Sequence, residues 1–134
     1  MFEKVLVAID GSKYSESALE AAADAARQGR GEVRVVHVRE VTSPVPPIET
    51  PDDAVAILDT GGADLKDHGV EVSGVLRQAK PGHVATEILA EAHEWGAGVV
   101  VIASRELSSL AGIVFGSTTH KVLHLSDLPV QVVH

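Results

Sequence analysis

What most constrains the fold is a series of short, unbroken apolar runs set between alanine-rich stretches. Val5-Leu6-Val7-Ala8-Ile9 stops at Asp10-Gly11, and Val99-Val100-Val101-Ile102-Ala103 is the most apolar stretch of the chain. Runs this short and this rich in β-branched residues read as strands covered on both faces, as in a parallel sheet. Val33-Arg34-Val35-Val36-His37-Val38 reads as another strand. Val70 to Leu76 alternates enough to be a sheet edge with one more exposed face, and Pro129-Val130-Gln131-Val132-Val133 closes the chain as a last strand.

The intervening stretches carry helical spacing. Ala18, Leu19, Ala22, Ala23 and Ala26 share one side of a helix that Ser12 should cap and Gly29 should stop. Asp52 to about His68 reads as a second helix, and Gly61-Gly62 should kink or split it, each glycine costing roughly 1 kcal/mol against alanine. After Pro81-Gly82, Val84, Ala85, Ile88, Leu89, Ala92 and Trp95 mark a third helix that ends at Gly96. A loop from Ser104 to Gly116 leads to a short helix starting at Ser117, while Pro44, Pro46, Pro47 and Pro51 stiffen a separate loop. The order β-α-β-α-β-α-β-α-β predicts an α/β fold with a single five-stranded, mostly parallel, Rossmann-like sheet and helices on both faces. The last strand is the expected exception to the parallel arrangement. Ligands of such folds sit beyond the carboxyl ends of the strands, which here means Asp10-Gly11-Ser12, Val38-Arg39 and Ala103 to Glu106.

Composition narrows the function. At 134 residues the chain suits one domain, 1–134. Aromatic residues are only 3%, which disfavours a base-stacking surface, and the net charge of -8 disfavours nucleic acid and anionic membrane as partners. The absence of cysteine removes disulfides, thiolate metal sites and thiol nucleophiles. No run approaches the ~20 apolar residues of a membrane span, and MFEKVLVAID lacks a basic leader, so a cytoplasmic protein is expected. His120 and His124 share a helix face without a third ligand or a His-Glu-x-x-His pattern, so they read as a solvated face and no metal site is expected. With no Gly-x-Ser-x-Gly elbow and no matched acid and base pair, enzymatic turnover is not expected.

The strongest local motif is Gly112-Ile113-Val114-Phe115-Gly116-Ser117-Thr118-Thr119. A helix start presents unpaired N–H groups and partial positive charge, so Ser117, Thr118 and Thr119 suit a phosphate, although Ser117 serves equally as a plain N-cap. Asp10 likewise suits either a ribose or phosphate-bound Mg²⁺, or the turn into the first helix. The opening strand with Asp-Gly-Ser, the second strand Val35-Val36-His37-Val38, and the stretch from Ala103-Ser104-Arg105 to Pro129-Val130 together resemble the universal stress protein family over nearly the whole chain. The resemblance implies an adenine nucleotide alpha hydrolase-like fold and, in the nucleotide-binding branch, ATP with Mg²⁺. It assigns adenine contacts to the backbone near Ala8 and Val38, and ribose or metal-linked contacts to Asp10. Phosphate contacts fall on Ala103, Ser104, Arg105 and Glu106 through Ser109, and on Gly116, Ser117, Thr118 and Thr119.

That branch carries Gly, two residues, Gly, nine residues, then Gly-Ser or Gly-Thr; here Ala103 and Glu106 stand in the first two glycine places, and only Gly116-Ser117 is kept. Glu106 adds bulk and a charge costing on the order of 3 kcal/mol opposite a phosphate at ~5 Å. The expected function is a dimeric stress-response module whose cleft binds ATP weakly or not at all; the alternative is an ATP-binding sensor or switch. The resemblance also implies a homodimer through the strand at 129–133, which would cover an otherwise open edge. Six of the eight excess negative charges fall within residues 51–100, away from the phosphate loop, so net charge does not forbid a small nucleotide.

Overall fold

The computed structural model describes residues 2–41, 49–104, 107–109, 112–114 and 117–134. The chain runs through β1 (Lys4–Ile9), α1 (Tyr14–Gly29), β2 (Glu32–Glu40), α2 (Pro51–Asp67), β3 (Glu71–Ala79) and α3 (Val84–Trp95). It continues through β4 (Val99–Ala103), β5 (Leu107–Ser109), β6 (Gly112–Val114), α4 (Ser117–Leu125) and β7 (Val130–Val133). Five strands form one sheet in the order β3-β2-β1-β4-β7. Every pairing in it is parallel, β7 on β4 included, so the expected exception at the last strand does not occur. Within the segment read as a loop, β5 and β6 form a separate antiparallel ribbon.

Strand periodicity sorts the apolar side chains to two faces. Val5, Val7, Ile9, Val33, Val35, Val99 and Val101 pack with α1 and with Leu65 of α2. Leu6, Ala8, Val36, Val38, Val100 and Ile102 pack with α3 and with Val122 of α4. The alternation is strict in β1, where Leu6 and Val7 are both 0% exposed yet belong to opposite cores. Burying each such side chain contributes about 1.5–3 kcal/mol.

Alanine lets α1 lie close to the sheet, with Ala18, Ala22, Ala23 and Ala26 fully buried. Ser12 does not cap it: Lys13 holds the N-cap place with no side-chain hydrogen bond. The turn is held one step away, where Asp10 Oδ1 accepts from the Ser12 N–H at 2.9 Å and from Ser15 Oγ at 3.1 Å. At the other end Gly29 is the last helical residue, but the left-handed conformation falls on Arg30, φ 52°. Gly29 and Gly31 answer a different need, since a Cβ on either would lie 2.5 Å from a backbone oxygen of Phe2 or Glu3.

α2 opens on a capping box: Thr50 Oγ1 accepts from the Asp53 N–H, and Asp53 Oδ2 accepts from the Thr50 N–H. The Thr50 backbone and then its hydroxyl hold the Asp53 carboxyl below its ordinary 3.8. This support is complete above that ordinary value and fades as acid protonates Asp53. The helix is continuous through Gly61-Gly62, contrary to the expected kink. Gly61 is buried, and a Cβ there would meet Ile9 Cδ1 at 2.6 Å, so the glycine serves the approach of helix to sheet.

On the side of α3 that faces β2 and β3, ion pairs join the hydrocarbon over the sheet. Glu91 on α3 accepts from Arg34 Nη1 of β2 and Arg77 Nη1 of β3, each at 2.9 Å. Arg77 also reaches Glu87 and Glu94. Burial acts to lower the Arg77 pKa, but the hydrogen bonds it donates to Glu94, Glu91 and Glu87 prevail and hold it above the ordinary arginine value. The Arg34 guanidinium lies 4.8 Å from the Trp95 ring centre, and Lys4 Nζ lies 5.4 Å from the same centre. Among the described residues, no helix is long and apolar enough to cross a membrane.

Candidate functional site

Strand order reverses between β1 and β4, and the helices that follow, α1 and α4, pack on opposite faces of the sheet, the arrangement that leaves room for a ligand beyond the strand ends. A cleft of about 520 Å³ opens at this point. Ala8 and Asp10 enter it from β1 and the turn after it, Val38 from β2, Ala103 from β4, and Ser117, Thr118 and Thr119 from the start of α4. The structure thus brings these seven sequence-predicted residues to one cavity. Ser104 is not among the lining residues: it is 0% exposed, its N–H donates to the Val133 carbonyl at 2.8 Å, and its hydroxyl has no hydrogen-bond partner among the described residues. Arg105, Glu106 and Gly116 lie outside the described residues, as do 42–48 of the proline-bearing loop.

The lining side chains are not equally available. Thr119 is buried and donates from Oγ1 to the Ala103 carbonyl at 3.1 Å, which ties α4 to the end of β4. Ser117 is exposed and Thr118 half-buried, so the hydroxyls that face an incoming group are theirs. They stand on the first turn of α4, where backbone N–H groups have no helical partner. Asp10 is already engaged by Ser12 and Ser15, as the turn requires.

Sequence reasoning missed a second set of lining groups: His37, Glu40 and Glu49. His37 is 3% exposed inside the valine run of β2. Its Nδ1 lies 2.8 Å from the Ile9 carbonyl oxygen, and its Nε2 lies 3.0 Å from each Glu49 carboxylate oxygen, so one ring ties β2 to the end of β1 and to Glu49. The backbone carbonyl of Glu49 also accepts from Arg39 Nε at 2.9 Å. Glu40 accepts from the Gly82 N–H at 3.1 Å, while Lys121 donates to the Gly82 carbonyl at 3.0 Å. The signal for the His37 contacts was a histidine set between Val36 and Val38 in a strand, a position that demands hydrogen-bond partners for the ring once buried.

His120 and His124 stand exposed on α4 with rings stacked 6.4 Å apart. A more open hollow of about 610 Å³ lies between α1 and α2; it shares Ile9, Ser12 and Ser15 with the cleft but holds none of the residues to which the family resemblance assigns nucleotide contacts.

Comparison with known proteins agrees with this architecture from end to end. The sequence matches the Universal stress protein family over residues 1–134. It is 35% identical over 150 aligned residues to Universal stress protein YxiE of Bacillus subtilis strain 168, covering 99% of each chain. The fold matches a universal stress protein from Archaeoglobus fulgidus with a TM-score of 0.80 and 26% identity, over 100% of both chains. It also matches the universal stress protein from Archaeoglobus fulgidus in complex with dAMP, with a TM-score of 0.76 and 26% identity over 98% of this chain and 97% of that one. The match of the family over the full length and the identity to YxiE lead to one conclusion: this chain belongs to the universal stress protein family.

Proposed function

We propose that this universal stress protein is a dimeric stress-response module that works by binding rather than turnover, and whose cleft holds ATP weakly or not at all. The observation that carries this reading is the acid in the cleft. Asp10, Glu40 and Glu49 line the same cavity as Ser117 and Thr118, so a triphosphate held by the start of α4 meets carboxylates on the facing walls. The sequence adds a second argument, since Glu106 stands in a place where the nucleotide-binding pattern has glycine. Calorimetry with ATP and Mg²⁺ on the native chain and on Glu106→Gly tests it. The native chain is expected to bind no tighter than the high micromolar range, and the variant to gain about two decades. Low-micromolar binding by the native chain overturns the reading and favours the alternative, a nucleotide-dependent sensor, which the relative in complex with dAMP supports.

The dimer is proposed through 129–133. β7 stands at the end of the sheet order with β4 on one side. The carbonyls of Pro129 and Val133 accept from Val100 and Ser104 of the β4 side, so the peptide groups of Val130 and Val132 between them face the open edge. Leu125 at the end of the adjacent α4 is 56% exposed, giving a second copy apolar surface to cover. Sedimentation at micromolar concentration should show a dimer. Val132→Pro, which removes an outward N–H without touching the pairing to β4, should yield a monomer. A native monomer, or an unaffected variant dimer, sinks the assignment.

A further inference from the structure

We propose that the hollow between α1 and α2 is a second binding site, which takes an alkyl diamine or polyamine.

Its floor is hydrocarbon: Ile9 at the end of β1, Leu19 of α1 and Ile57 of α2 line it, and Gly61 adds no side chain to fill it. Its rim is acid. Glu16 and Glu20, four residues apart on one face of α1, stand on one side, and Asp64 of α2 stands on the other. Glu16 and Glu20 are exposed, and among the described residues neither side chain has a hydrogen bond or an ion pair. No lysine or arginine is among the described lining residues. His68, the one imidazole there, is held with Nδ1 3.3 Å from Asp64 Oδ1, which leaves Asp64 Oδ2 for a ligand. In the wall that the hollow shares with the cleft stands Ser12, whose buried hydroxyl oxygen has no hydrogen-bond partner among the described residues. An ammonium N–H brought to that wall supplies the donor that the hydroxyl lacks.

Charge and shape together choose the occupant. A metal ion suits the place poorly: among the described residues no group of three acidic or histidine side chains is arranged to hold one, and a hydrated ion gains nothing from the floor. A single ammonium leaves one rim unmatched. An alkyl diamine meets both demands, since its methylenes cover the floor while one ammonium sits at each rim. The volume, about 610 Å³, is that of a small-molecule site. Because the carboxylates of α1 are exposed, each ammonium–carboxylate pair is worth up to about fivefold in affinity, and the binding is correspondingly weak.

The test is a titration of the isotope-labelled full chain with hexamethylenediamine, followed by amide NMR at physiological ionic strength, where charges beyond about 8 Å are screened. Saturable shifts should centre on Leu19, Ile57 and Thr60. Hexylamine, with the same hydrocarbon and half the charge, and Mg²⁺, with the same charge and no hydrocarbon, should each bind about threefold to fivefold more weakly. Glu16→Gln with Glu20→Gln should weaken the diamine about fivefold to tenfold. Asp59→Asn with Glu71→Gln, which removes two exposed acids outside the hollow, should change it less than about twofold. The amide spectrum of each variant shows whether it is folded, and the comparison of the three probes on the native chain stands without any variant. Shifts spread over the acidic surface or centred on the cleft overturn the proposal, as do equal losses in the two double variants. Mg²⁺ or hexylamine binding as tightly as the diamine, or no saturable binding at millimolar concentration, overturns it as well.

Discussion

Leu65→Ala should remove about 3–5 kcal/mol of folding stability, a large part of the roughly 5–15 kcal/mol that holds a domain of this size. The reason lies in how little of α2 is anchored. Its buried positions are Ala54, Gly61 and Leu65, and of these only Leu65 brings a large side chain, 0% exposed, into the core beneath α1 and the sheet. Ile57 and Leu58 pack against that core only in part. Truncating Leu65 leaves a cavity that the neighbours cannot close, because Gly61 already places the helix backbone close against Ile9. Urea denaturation followed by circular dichroism measures the loss. Leu125→Ala is the control: at 56% exposure it should change stability by less than about 0.5 kcal/mol. A loss below ~1 kcal/mol for Leu65→Ala would mean that α2 is held by contacts other than this one.

Glu91→Ala should cost about 2–4 kcal/mol, since it breaks a buried ionic bridge from the acidic side and leaves two guanidiniums without their shared partner. The Glu91 side chain is 7% exposed and bonds to both Arg34 and Arg77, whose side chains are 25% and 19% exposed. Glu87 and Glu94 retain contact with Arg77 but not with Arg34, so the stranded charge is mainly that on β2. Thermal melting should fall by roughly 10 °C, and Glu91→Gln, which keeps the shape and one acceptor, should recover part of it. If Glu91→Ala melts like the native chain, the arginines reach water once released, and the bridge contributes register rather than stability.

The frame was legible because it rests on period and burial. Val5 to Ile9 and Val99 to Ala103 carry no polar residue, and a run of that kind finds cover only inside a two-sided sheet. Asp10, Val38 and Ala103 could be placed in one cleft from the topology, since parallel strands bring their carboxyl ends to one side, while Ser117 joined them through the helix-start motif and the family resemblance. What escaped were choices made by tertiary contact. Gly61-Gly62 reads as a weak point in a helix, yet Gly61 is where the helix meets Ile9. Gly29 reads as a stop, yet it makes room for the Phe2 backbone while Arg30 takes the left-handed turn. Ser12 has the composition of a cap, but Asp10 binds its N–H and Ser15 holds the turn. β5 and β6 are three residues each, too short for any period to show. The His37–Glu49 pair joins residues twelve apart across a proline-bearing loop, and no local pattern announces such a contact.

The chain has one tryptophan and one tyrosine, and the fold sends them to opposite ends of the sheet. Trp95 lies between Lys4 and Arg34 at the amino ends of β1 and β2, whereas Tyr14 lines the cleft beyond the carboxyl ends. The two chromophores therefore report on different events. Tryptophan emission, shaped by two cations against the indole, follows the docking of α3 and the melting of the charged seam. Occupancy of the cleft is read from tyrosine, so a ligand titration watched only through tryptophan is blind at the site that matters.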